Sequence, residues 1–80
     1  MARLLVIAST GAQDPTRASI PFHIAVNGAA AAGMDCGVAL AGDATDLLKE
    51  EVVATVRGVG IPPLADLLAG CREKGIQLYV

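Results

Sequence analysis

Three short apolar runs, separated by stretches of helical spacing, constrain this chain more than any other feature. Arg3-Leu4-Leu5-Val6-Ile7-Ala8 is continuous rather than alternating, and it ends in the polar Ser9-Thr10-Gly11. A strand that is apolar at nearly every position reads as covered on both faces, as in a parallel sheet. Asp35-Cys36-Gly37-Val38-Ala39-Leu40-Ala41 and Ile76-Gln77-Leu78-Tyr79-Val80 are the second and third strands.

Helical spacing fills the intervals. Asp14-Pro15 marks a helix start, because Asp caps free N–H groups and Pro fits the first helical position. Ala18, Phe22, Ala25, Val26 and Ala29 then recur at helical intervals, and Gly33 stops the helix. Pro21 interrupts that pattern, so the helix is expected to kink there or to restart with Pro21 in its first turn. A second helix is expected over Leu47, Leu48, Val52, Val53 and Val56, capped by Asp43 or Thr45 and ended by Gly58 and Gly60. Pro62-Pro63 opens a third, with Leu64, Leu67, Leu68 and Cys71 on one face. Asp66 near its start and Arg72 and Lys74 near its end complement the helix dipole, and Gly75 closes it.

The order β-α-β-α-α-β implies an α/β fold with a parallel sheet and right-handed crossovers. Eighty residues make one domain, 1–80, and only about 62% of such a chain's surface can be buried. Phe22 and Tyr79 are the only aromatics, so the core is thin and aliphatic. Three strands are few for a sheet covered on both faces. Either partner subunits complete the layer, or these residues are the front part of a longer domain.

Composition excludes several function classes. A net charge of −2 with scattered charges leaves no basic stripe for nucleic acid. The run Ile24–Met34 is cut by Asn27, Gly28 and Gly33, and Leu4–Ala8 is too short for a signal peptide, so no membrane association is expected. Two cysteines without a CxxC, and one histidine, point neither to a disulfide framework nor to zinc. Neither GxGxxG nor a Walker A motif is present, so no cofactor is expected. A reducing cytoplasm is the expected compartment.

The run of motifs resembles the DsrE/DsrF-like sulfur-relay family, in a branch of small bacterial proteins. It is carried by Leu4–Ala8, Gly11-Ala12-Gln13-Asp14-Pro15-Thr16-Arg17-Ala18, Pro21-Phe22-His23 and Ala25-Val26-Asn27-Gly28-Ala29. Leu40-Ala41-Gly42-Asp43-Ala44, Gly58-Val59-Gly60-Ile61-Pro62-Pro63, Gly75-Ile76 and Leu78-Tyr79-Val80 continue it, in order, over nearly the whole chain. The resemblance implies a three-layer flavodoxin-like sandwich assembled as an oligomer, and a role in persulfide trafficking as a sulfur carrier or sulfurtransferase. A sulfur-donor or acceptor protein is then an expected partner. In related sequences the strand matching Gln77–Val80 runs on into a cysteine-containing loop. The 80 residues stop before it, and further helix and strand are expected beyond. The sulfur-carrying position thus has no counterpart here, and its role passes to neither Cys36 nor Cys71. The alternative is a non-catalytic oligomeric binding or scaffold domain of the same fold.

Read from the residues alone, the candidate ligand site lies where open α/β sheets bind ligands, outside the carboxyl ends of the strands. Ser9, Thr10, Gly11, Gln13 and Asp43 gather there as a small-anion site, against the simpler reading of turns and caps. His23 is a candidate base or contact residue, and against that a packed or surface side chain. Cys71, near a helix C-terminus, and Cys36, at a strand entrance, read as structural thiols. Val59, Ile61, Pro62, Pro63 and Leu64 form an apolar connection that is either an interface or tucked under the sheet edge.

Overall fold

Asp14 starts the first helix as its sequence requires. In the computed structural model, which describes residues 3–80, its carboxylate accepts from the Arg17 N–H at 3.2 Å, and Pro15 takes the first helical position. Helix α1 (Pro15–His23) passes through Pro21 without restarting. The missing Pro21 N–H leaves the Arg17 carbonyl without its usual donor. The Ile24 N–H then reaches both Ile20 and Pro21 carbonyls, and the coil widens into a π-helical stretch over Ile24–Ala29. A five-residue bond runs from Ala30 N–H to Ala25 O at 2.9 Å, and beyond the stretch the Met34 N–H closes onto the Ala29 carbonyl at 2.9 Å across Gly33. Gly33, at φ +81°, ends the segment.

Strands β1 (Arg3–Ala8), β2 (Asp35–Leu40) and β3 (Gln77–Tyr79) form one parallel sheet in the order β1-β2-β3. The register sets Arg3 beside Asp35, Leu5 beside Gly37 and Ile7 beside Ala39. Gly37 and Ala39 lie in turn beside Gln77 and Tyr79. The α/β character and the parallel sheet are therefore present as expected.

The connection after β2 differs from the single helix that the spacing predicts. Gly42–Leu48 forms a 3-10 stretch, Lys49 is extended, and α2 covers only Glu50–Val53. Ala44 and Leu47 are the buried side chains of the 3-10 stretch, three apart, which is the 3-10 period. Packing on that period overrides the longer helical pattern. Neither Asp43 nor Thr45 caps a helix: Thr45 Oγ1 donates back to the Gly42 carbonyl at 2.9 Å, and the Asp43 carboxylate turns to Gln13. Helix α3 (Leu64–Lys74) follows Pro63 and ends as expected at Gly75, which is left-handed at φ +70°. The Ile76 N–H closes onto the Cys71 carbonyl at 2.9 Å.

Phe22, Leu47, Leu64, Leu67, Val38 and Val56 centre the core between the helices and one face of the sheet. Gly70 of α3 packs so tightly on the π-helical stretch that a Cβ there would lie 2.7 Å from Val26 Cγ1. Along β1 and β2 burial alternates: Leu4, Val6, Ala8, Cys36, Val38 and Leu40 face the helices. Leu5 and Ile7 face outward and are 58% and 66% exposed. Among the described residues the sheet is therefore covered on one face. The reason is topological. Two right-handed crossovers taken in the same direction, β1 to β2 and β2 to β3, lay their helices on the same side.

Candidate functional site

The carboxyl ends of β1 and β2 bring Gly11, Gln13 and Asp43 together. Gln13 Nε2 donates to Asp43 Oδ2 at 3.2 Å, and Gly11 is buried against the Asp43 backbone. Ser9 is exposed and Thr10 half-buried beside them. Asp14 closes the other side of the loop, with its carboxylate on the Arg17 N–H and 3.6 Å from Arg17 Nε. The Gln13, Asp43 and Asp14 side chains are thus engaged within these loops, and two of the three are carboxylates.

His23 lies apart from this end, in the last turn of α1. Asn27 Nδ2 and His23 Nδ1 hydrogen-bond at 3.0 Å, four residues apart along the same coil. This contact within one helix holds the ring in one orientation.

Cys36 and Cys71 are free thiols, both buried, on the covered face of β2 and on α3. Burial pushes the Cys71 thiol above its ordinary pKa, and the nearby Cys36 adds a like-charge contribution. Burial likewise raises Cys36, with the Asp35 carboxylate adding to it. A thiol held protonated is a poor nucleophile and a poor metal ligand. Among the described residues no group of three or more His, Cys, Asp or Glu gathers as a metal site. No helix among them is long and apolar enough to cross a membrane.

The connection from Gly58 to Leu64 is held to α1, where Thr16 Oγ1 accepts from the Val59 N–H at 3.1 Å. Leu64 is buried, Ile61, Pro62 and Pro63 are half-buried, and Val59 is exposed. Most of this segment packs inward.

The feature that sequence reasoning missed is the outer face of the sheet. Gly37 and Ala39 form a low central column between the taller Leu5 and Ile7 of β1 and Tyr79 of β3. A hollow over Gly37 is bordered by Leu5, Cys36, Gln77 and Tyr79, with Arg3 and Asp35 at its amino end. Arg3 Nε is 3.4 Å from Asp35 Oδ2. Gly37 is the one signal of this in the chain: the Tyr79 ring leans to where its Cβ would be, at 2.9 Å. No family model, no curated protein and no solved structure matches the chain.

Proposed function

We propose that this chain is a non-catalytic binding or scaffold domain of α/β fold that works as an oligomer. One observation carries the reading: both thiols are packed into the core with their acidity suppressed. A sulfur carrier needs an accessible thiolate, and Cys36 and Cys71 do not supply one. Persulfide trafficking, with a sulfur-donor or acceptor protein as partner, would need a thiol other than these two. A flavodoxin-like three-layer sandwich would need a further layer against Leu5, Ile7 and Tyr79. The free cysteines suit a reducing cytoplasm.

The test is intact mass after iodoacetamide treatment at neutral pH, native and denatured, and after exposure of the native protein to a persulfide donor. Both thiols are expected to react only in denaturant, with no sulfur gained by the native chain. Gain of one sulfur atom by the native protein, reversed by reductant, would overturn the reading in favour of sulfur transfer.

A further inference from the structure

We propose that the short helix α2 is a strap hinged at Lys49, with a second conformation in which Lys49 turns helical and residues 46–53 run as one helix. The inference goes beyond the binding-domain reading and does not depend on the thiols, which lie on β2 and α3.

One residue makes the break. The chain is 3-10 up to Leu48 and α-helical from Glu50, and only Lys49 between them is extended, at φ −77° and ψ 130°. Its φ is already close to the helical value, so a turn of ψ alone joins the two pieces. The local sequence favours that turn. Leu47, Leu48, Lys49, Glu50 and Glu51 are all good helix formers. The Asp46–Lys49 ion pair, at 3.3 Å, has the three-residue spacing of neighbours on a helix. In the broken form the Glu50 and Glu51 N–H groups open α2 and have no intrahelical acceptor. In the joined form they donate to the Asp46 and Leu47 carbonyls.

Packing holds the strap down weakly. No side chain of α2 is fully buried, and Val52 and Val53 are half-buried. An open groove of about 380 Å³ separates the strap from α3, with Leu48, Val53 and Ala54 on one wall and Leu68 and Ala69 on the other. The two elements therefore do not close-pack. The anchors on either side are firm. Leu47 and Val56 are core residues, and the Val56 carbonyl accepts from the Leu64 N–H at 3.1 Å. Motion is thus confined to residues 48–55. The hydrogen bonds gained at Glu50 and Glu51 and the partial burial lost at Val52 and Val53 oppose each other and are of the same order. Such a balance populates a minor state at about 1–10%. Joining the helix swings α2 about Lys49 and uncovers the apolar wall of α3 at Leu68.

NMR relaxation dispersion tests this, at the Lys49 Cα and at the amide nitrogens of residues 48–55. The wild-type chain is expected to exchange there with a minor state whose Lys49 Cα shift is helical. Glu50→Pro locks the broken form. Proline fits the first helical position and requires an extended residue before it, as Lys49 is. In a joined helix its ring would clash with the Asp46 carbonyl. Glu50→Pro should therefore keep the circular dichroism spectrum and abolish the exchange at Lys49. Val53→Asp loosens the strap from α3 and should raise the minor population about fivefold. Three results would each overturn the proposal: a wild type without exchange at Lys49, a minor state with the Lys49 shift of an unfolded chain, or exchange that survives in a folded Glu50→Pro. Should Glu50→Pro fail to fold, the Lys49 shift and Val53→Asp decide, and a population that Val53→Asp leaves unchanged would also overturn it.

Discussion

Gly11 and Asp43 meet so closely that a Cβ at position 11 would stand 2.7 Å from the Asp43 carbonyl oxygen. The loops after β1 and β2 are therefore locked backbone to backbone, and the Gln13–Asp43 hydrogen bond lies over that contact. Gly11→Ala is expected to cost about 1–3 kcal/mol, because backbone rather than a flexible side chain has to move. Thermal unfolding should show a melting temperature lower by about 5–15 °C. Gly28→Ala is the contrast: nothing lies within 4 Å of its missing Cβ, and its φ is ordinary for any residue. It should stabilise by about 0.5–1 kcal/mol through helix propensity. Equal melting temperatures for wild type and Gly11→Ala would show that the loops yield.

Pro21 sits inside a helix that continues past it. Pro21→Ala supplies the missing N–H to the Arg17 carbonyl and relieves the ring's clash with the preceding turn. Part of that gain is offset by greater freedom of the unfolded chain. A net stabilisation of about 1–2 kcal/mol is expected in urea unfolding. A fall in stability would mean that the proline ring contributes packing that outweighs the restored bond.

Phe22 and Leu67 are fully buried in a core with one other aromatic in the whole chain, and that one, Tyr79, is outside it. Phe22→Ala should cost about 3–5 kcal/mol and Leu67→Ala about 2–5. A domain of this length has only about 4–12 kcal/mol in total, so Phe22→Ala is expected to be partly unfolded at 37 °C. Leu48→Ala, at a side chain that is 39% exposed, should cost less than about 1 kcal/mol. Circular dichroism melts of the three variants check the order; a Leu48→Ala loss equal to that of Leu67→Ala would contradict the assigned core.

The two thiols make stability fall with alkalinity. Their pKa values in the folded state lie above the ordinary thiol value of 9.0. As pH rises past that value the unfolded chain loses its thiol protons first, so the unfolded state gains and the folded state does not. The contribution is fully present below about pH 8 and is lost as the pH climbs toward the folded values. Melting temperature followed from pH 7 to above pH 10 should therefore fall more steeply for wild type than for Cys36→Ala with Cys71→Ala. Parallel curves would show that the thiols titrate alike in both states.

Much of the chain's organisation is legible in its residues because it is written locally. Asp14-Pro15 starts its helix with its own carboxylate and ring, and Gly33 and Gly75 end theirs by taking positive φ. The three apolar runs emerge as the three strands, and their alternation with helices settles that the sheet is parallel. The places of Cys36 and Cys71, at a strand entrance and near a helix C-terminus, were also legible, but the burial that raises their pKa values comes from the packing of the helices on the sheet.

What local chemistry left open was decided by long-range packing. Leu47, Leu48, Val52 and Val53 fit a helical period, yet burial of Ala44 and Leu47 breaks the segment into a 3-10 stretch, an extended Lys49 and a single α turn. Capping at Asp43 gave way to a hydrogen bond with Gln13, 30 residues earlier, which no neighbouring residue announces. Leu5 and Ile7 are as apolar as Leu4 and Val6, and nothing in β1 itself says which pair will be covered. That depends on the sense of two crossovers and on the strand order β1-β2-β3, which together put every helix on one side. Hydrophobicity is a property of each side chain, whereas burial depends on which elements the tertiary fold brings against it.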